Sequence, residues 1–281
     1  MMPGQDMSPL GLIAGEGVFP LLVARGAKRN GRKVICAGLR GSALPELAGE
    51  CDVYQNVGLL RLGQWIKVLK KYGCTEAIMV GRVGKAGMYA KWRYLQYIPD
   101  LRTLRVWFTR LRQDKRDHAV LLAVADELQS EGITLIDSTA YTKDQLATEG
   151  VMTSVKPTDR QLADIEFGWE LCRTISRLDI GQALAVLDKD VIAVEAIEGT
   201  DRMIMRAGQY CRTPGWTLIK VTNAQQDMRM DVPTVGIQTI EELRAAGAGC
   251  LVLQVGSTIM LEKEKVIALA EKYGIAIVGK A

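Results

Sequence analysis

Short apolar runs alternate with amphipathic stretches along residues 10 to 137. "LGLIAG", "KVICAG", "EAIMVG" and "ITLIDS" are mostly apolar, as strands buried on both faces are. Between them, "FPLLVARGAKRNG", "LGQWIKVLKKYG" and "HAVLLAVADELQSEG" read as helices that close on glycine. Strand and helix in alternation predict a parallel sheet flanked by helices, a Rossmann-like nucleotide-binding domain over residues 1–137. Residues 138–157, rich in Thr and Ser, read as a connection. "TDRQLADIEFGWELCRTISRL" then opens on Thr158 or Asp159 as a cap and continues as an amphipathic helix. "DVIAVEAIEG", "WTLIKVT", "CLVLQ" and "IAIVG" read as strands, with helices at "TDRMIMRAGQY", "TIEELRAAGAG" and "LEKEKVIALAEKYG". The predicted fold class is α/β: an N-terminal Rossmann-like parallel-sheet domain plus a second C-terminal α/β domain over 158–281, with the ligand site in the cleft between them.

Composition narrows the function classes. Of 281 residues, 48% are hydrophobic and 24% charged, which is globular composition. A net charge of +4 is too mild to argue for nucleic acid. The six cysteines are too dispersed for CxxC zinc or redox motifs and read as isolated thiols in a reducing compartment. No apolar run reaches the ~20 residues of a spanning helix, and "MMPGQDMSP" lacks the features of a signal peptide, so a cytoplasmic protein is expected.

Several segments carry candidate chemistry. Gly15 and Gly17 follow the first strand and precede a helix, a place where backbone N–H groups favour anions. NAD is disfavoured, because Pro20 stands where a third glycine belongs and Arg40, not an acid, follows the second strand. "VGRVGK" closes another strand and brings Gly81, Arg82 and Lys85 to the carboxyl end of the sheet. Residues 88–116 hold six of the sixteen aromatics (Tyr89, Trp92, Tyr94, Tyr97, Trp107 and Phe108) among many cations. That mixture suits a membrane interface or a lipid with an anionic head, stacking on nucleic acid, against which the lack of a wider basic surface counts, and equally an amphipathic helical hairpin packed on its domain. His118 is the one histidine, so Ser–His, Cys–His and His-rich metal mechanisms all have to run through it; beside Asp117 at a helix start it reads as structural.

"KVTNAQQDMRMDVPTVG" is the strongest local signal. If "DMRMDV" is extended, Asp227, Arg229 and Asp231 share one face at spacings of about 6 to 7 Å. Two carboxylates flanking a guanidinium suit a divalent ion and a phosphate, and also a solvated edge strand with weak ion pairs. Upstream, "EAIEGTDRMIMRAG" sets Glu195 and Glu198 at a strand end, Thr200 and Asp201 at a helix start, and Arg206 further along.

"AVEAIEGTDRMIMRAG" with "IKVTNAQQDMRMDVPTVG" resembles the LpxI-type UDP-2,3-diacylglucosamine pyrophosphatase family of lipid A biosynthesis. "GLIAGEGVFP", "GRVGK", "HAVLLAVADELQSEGI" and "IALAEKYGIAIVG" extend the resemblance over nearly the whole chain. It implies two domains with substrate between them and Mg²⁺-dependent hydrolysis of the pyrophosphate to UMP and 2,3-diacylglucosamine 1-phosphate (lipid X). The family's essential aspartate maps to Asp227, with Asp231 second, and both are assigned to the metal. Two departures stand out: Asn223, Ala224 and Gln225 replace a family Lys-Pro-Gly, and Arg116, Asp117 and His118 replace a family "GDD". Within this reading Arg206, Arg229 and Lys220 neutralise phosphate charge. Gly15, Gly17 and Gly81 cradle the UDP part, and Arg82, Val83, Thr153, Glu195, Glu198, Thr200 and Asp201 complete the substrate contacts. The aromatics of 88–108 border the acyl chains and bring the protein reversibly to the cytoplasmic face of the inner membrane, with a homo-oligomer compatible. Two rivals share these features: a non-catalytic nucleotide-sugar or lipid carrier, and an NAD(P)-dependent oxidoreductase.

Overall fold

The structure, a computed structural model, describes residues 8–82, 98–112, 117–211, 213–222, 229 and 232–281. The chain divides into two compact units, one running to Thr142 and the other starting at Lys143.

The first unit is built on a sheet of β1 (Leu10–Ala14), β2 (Val34–Leu39), β3 (Val53–Val57), β4 (Glu76–Val80) and β5 (Thr134–Leu135). Its order is β3-β2-β1-β4-β5, and all pairings are parallel. This is the order of a doubly wound sheet, and the order reverses at β1 and β4. Central β1 is buried along its whole length, which is why it reads as an unbroken apolar run. Helix α1 (Phe19–Arg29) lies against β1 and β2. The short α2 (Leu47–Glu50) leads into β3. On one face Ile13, Ile35 and Ala37 meet Trp65, Ile66 and Leu69 of α3 (Leu62–Lys71) and Leu128 of α5 (Asp117–Ser130).

Between α3 and α5 runs α4 (Leu101–Val106), which continues into a π-helical turn, Trp107–Leu111. Residues five apart stack in such a turn, so Leu111 joins Val106 on the buried side. Asp100 caps two helices with one carboxylate: Oδ1 accepts the Thr103 N–H of α4 at 2.8 Å and Oδ2 accepts the Gly63 N–H of α3 at 2.8 Å. Glu131, just after α5, draws Lys70 of α3 and Arg102 of α4 together, and their donors hold its carboxyl down to about 2. Cys36 and Cys51, distant in sequence, face each other, and their shared hydrogen bond pushes the Cys36 thiol up and lowers that of Cys51.

The second unit contains β6 (Gly150–Val151), α6 (Asp159–Arg177), β7 (Ala183–Leu187), β8 (Asp190–Val194), α7 (Thr200–Tyr210) and β9 (Trp216–Lys220). It continues with β10 (Thr234–Val235), α8 (Ile237–Ala245), β11 (Ala248–Gln254), β12 (Ile259–Met260), α9 (Lys263–Lys272) and β13 (Ala276–Lys280). The large sheet has the order β6-β13-β11-β9-β7-β8, and β10 pairs with β12 separately. Strands β13, β11 and β9 are parallel, whereas β7 is antiparallel to both β9 and β8. Hence β8 runs in the direction of β9, and the carboxyl ends of β8, β9, β11 and β13 share one edge with the start of β7. The β7–β8 turn places Asp188 and Lys189 at φ of 52° and 58°, the two left-handed residues of a type I′ hairpin. Buried Asp164 of α6 accepts the Lys189 N–H at 2.7 Å and fixes that turn.

Helix α6 starts on a full capping box formed by Thr158 and Gln161, so of the two caps the sequence offers, Thr158 is the one used. Its Ile165 and Trp169 cover Leu184, Val186 and Ile219 on one sheet face. Met203 and Ile204 of α7, Leu243 of α8 and Val266 of α9 cover Leu218 and Leu251 on the other. Alternation of Leu218 and Ile219 between faces is the period-2 rule of a strand buried on both sides.

Because one carboxylate serves two helix starts, Asp100→Ala is expected to lower stability by about 2 kcal/mol, roughly two caps of ~1 kcal/mol each. Urea unfolding followed by circular dichroism checks this. A loss no larger than that of an exposed control substitution would show that the double cap carries no load.

Candidate functional site

In the second unit, polar groups gather at the carboxyl edge of the large sheet. Glu195 follows β8 directly, and its backbone N–H donates to Ala183 O at 2.9 Å. Gly181 permits this crossing, since a Cβ there would stand 2.0 Å from the Glu195 carbonyl oxygen. The chain then turns through Gly199, whose φ of 82° suits glycine, and enters α7 at Thr200. Lys220 ends β9 on the neighbouring side of β7.

These placements bring three side chains into line. The Thr200 hydroxyl donates to Glu195 Oε1 at 2.9 Å, and Lys220 Nζ donates to Thr200 Oγ1 at 3.1 Å. Lys220 Nζ also lies 3.4 Å from the Thr234 carbonyl oxygen of β10. Glu195 Oε2 accepts the Gln182 N–H at 3.3 Å. Glu195 and Lys220 are each only 6% exposed, a depth at which ionisable groups need partners. Beside them, Thr222 N–H donates to Gln254 Oε1 at 2.8 Å, and the Thr222 and Ser257 hydroxyls are 2.7 Å apart. Gly199 precedes α7 and Gly236 precedes α8, and neither offers a side-chain cap. Both helices therefore present uncapped backbone N–H groups at their starts.

Arg206 is engaged within α7 and its approach. Its Nη2 donates to the Val194 carbonyl oxygen at 2.7 Å and pairs with Glu198. The Glu198 carboxyl is held below its ordinary range by its own backbone N–H, then by Arg206 and the Ala196 N–H. Arg206 and Glu198 thus brace the loop that carries Glu195 and Thr200. Asp201 sits half-buried in the first turn of α7. Thr153 lies elsewhere: its hydroxyl donates to the Val155 carbonyl oxygen and accepts the Ile277 N–H near the amino end of β13.

In the first unit, the loops after β1 and β4 meet at the point where strand order reverses. Gly15 N–H donates to Val80 O at 2.8 Å, and Glu16 and Arg82 exchange backbone hydrogen bonds at 2.7 and 2.9 Å. A Cβ on Gly15 would lie 2.6 Å from the Arg82 carbonyl oxygen, and one on Gly81 would lie 2.7 Å from the Gly15 backbone. These two glycines let the loops touch. Gly17 differs, with φ of 103° and open space where a Cβ would point. Pro20, in the first turn of α1, occupies a position whose missing N–H costs nothing. Exposed Arg40 and Arg82 follow β2 and β4.

Asp227, Asp231, Val83 and Lys85 lie outside the described residues, as do Tyr89, Trp92, Tyr94 and Tyr97. The side chains of Asp117 and His118 do so too. Arg229 is exposed, in a turn. Among the described residues, no group of three or more His, Cys, Asp and Glu side chains is placed to hold a metal ion. Of the aromatic and cationic segment, Leu101, Phe108 and Trp107 are 86%, 66% and 42% exposed, with Arg105 and Arg112 exposed beside them. Sequence reasoning found Glu195, Thr200 and Lys220 one by one. It missed the Gln182 N–H and Thr234 carbonyl because backbone groups leave no residue-type signal.

Residues 9–145 match the family model described as the LpxI N-terminal domain, and residues 148–278 match the LpxI C-terminal domain. The chain belongs to the LpxI family. It is similar to the UDP-2,3-diacylglucosamine pyrophosphatase LpxI of Caulobacter vibrioides, with 33% identity over 97% of this chain and 98% of that protein. The N-terminal LpxI model ends three residues past Thr142 and the C-terminal one starts five past Lys143, close to the division between the units.

Gly81→Ala tests the close approach of the two loops. It combines a positive φ with a backbone clash, so a loss of about 1–3 kcal/mol is expected. Gly49→Ala, with nothing near its Cβ position, is the control. Equal melting temperatures for the two variants would contradict the packing role.

Proposed function

We propose that this protein hydrolyses the pyrophosphate of UDP-2,3-diacylglucosamine to UMP and 2,3-diacylglucosamine 1-phosphate, with Mg²⁺, in lipid A biosynthesis. The observation that carries the reading is buried Lys220, held at a sheet edge by Thr200 and Thr234 near the start of α7, in a chain of the LpxI family. A buried cation near a helix N-terminus suits the negative charge of a phosphoanhydride.

Hydrolysis adds water across the P–O–P bridge. One P–O bond forms, one bridging P–O bond breaks, and charge builds on the departing phosphate. Lys220, Arg206 and Arg229 are the cations assigned to that charge. Asp227 and Asp231 offer hard carboxylate oxygens, the donor type Mg²⁺ prefers, and these two would hold it. The bound cation would supply charge neutralisation on the phosphate oxygens. Asp227 is assigned to hold the metal or to take the proton of the attacking water. In the first unit, Gly17 and the loops joined at Gly15, Gly81 and Arg82, continuing to Val83, are assigned to the UDP part.

The exposed Leu101, Trp107 and Phe108, with Arg105 and Arg112, support contact with lipid. No described helix is long and apolar enough to cross a membrane, so the contact is a reversible one at the membrane surface.

Two measurements test this reading. Wild-type protein should release UMP from UDP-2,3-diacylglucosamine with Mg²⁺ and not with EDTA, and Asp227→Asn should lose at least about 10²-fold in kcat, by analogy with other electrostatic catalytic groups. Binding without turnover would point instead to a carrier, and near wild-type turnover by Asp227→Asn would sink the central assignment. Separately, the protein should sediment with vesicles of phosphatidylglycerol and phosphatidylethanolamine, and Leu101→Ser/Phe108→Ser should not. Sedimentation unchanged in that variant would remove the helix from the membrane contact.

A further inference from the structure

We infer that Glu195 is a positioning residue, acting on Lys220 through the Thr200 hydroxyl. The inference rests on the pyrophosphatase reading and deepens it. Its basis is the direction of each hydrogen bond. A lysine ammonium only donates, and an ionised carboxylate only accepts. Lys220 must therefore give its proton toward Thr200 Oγ1, 3.1 Å away. Thr200 has one hydroxyl proton, and it must go to Glu195 Oε1, 2.9 Å away. The chain cation–hydroxyl–anion has one self-consistent arrangement.

Both carboxylate oxygens of Glu195 are also in use. Oε1 holds Thr200, and Oε2 accepts the Gln182 N–H at the start of β7. The residue is buried, and its backbone is clamped to β7 through the Ala183 carbonyl oxygen and the close approach of Gly181. With each oxygen holding a hydrogen bond, the carboxylate is fixed in direction, and its role is to set charge and orientation. It sets a negative charge one hydroxyl away from the ammonium, and it turns the Thr200 hydroxyl so that its lone pairs face Lys220. Thr200 is also the first residue of α7, so the ammonium is fixed relative to that helix N-terminus.

A set of variants in the full-length protein tests this, read by kcat and KM for UMP release and by calorimetric binding of inorganic pyrophosphate. Thr200→Ser keeps the hydroxyl and should stay within about twofold of wild type. Thr200→Val removes it and should lower kcat about tenfold to a hundredfold, the range for a lost charge-assisted hydrogen bond, and weaken pyrophosphate binding. Glu195→Gln, which keeps shape and loses charge, should fall on the Val side and covers the case in which Thr200→Val does not fold. If Ser and Val variants lose equally, or if Glu195→Gln matches wild type, the relay is wrong. If wild type binds pyrophosphate without hydrolysing its lipid substrate, the functional reading fails while the Ser-against-Val contrast in binding still decides the relay. Wild type that neither binds nor hydrolyses overturns both.

Discussion

A buried ammonium has to be answered by a buried negative charge. Lys220 sits at the end of a strand whose every residue is buried, and the Thr200 hydroxyl links it to the carboxylate of Glu195. Much of the second unit's architecture serves that meeting. β7 is antiparallel to both neighbours, so the carboxyl ends of β8 and β9 reach the same edge. The type I′ turn at Asp188–Lys189, held by Asp164, joins β7 to β8 and sets Leu187 opposite Asp190. Gly181 lets the end of β8 cross close to β7, and Gly199 turns the chain so that α7 begins with Thr200 between the two charges. Arg206 and Glu198 brace the intervening loop.

The first unit solves a different problem with similar means. Its strand order opens the sheet between the loops of β1 and β4, and those loops are then joined backbone to backbone. Gly15 and Gly81 exist there because two main chains cannot approach so closely with a Cβ between them. Gly17 is the glycine that leaves open space. Of the three glycines, Gly15 and Gly81 let the two loops join, and Gly17 leaves room beside them.

Most of the large elements were legible in the sequence, because doubly buried strands and amphipathic helices leave strong periodic signals. β3 was not, since "VYQNV" buries only Val57 fully and carries two amides, and β7, "ALAVL", was not told apart from the apolar run of β8 two residues later. β6, β10 and β12 were not, since two-residue strands have no period. The cap at Thr158 and the helix beginning at Thr200 were readable from residue type. Relations across the fold were harder. Nothing in residue spacing says that Glu195, Thr200 and Lys220 form one line, that Asp100 caps two helices, or that Cys36 meets Cys51. Such pairings depend on strand order, which residue spacing does not reveal.

The central claim is that Glu195 matters only through Lys220, and a double-mutant cycle in the rate of UMP release tests it most directly. Glu195→Gln and Lys220→Met are each compared with the double variant. The account predicts that once Lys220 is gone, replacing Glu195 changes the rate no further, so the double variant equals Lys220→Met. Losses that multiply would show that Glu195 acts on the reaction by a route of its own.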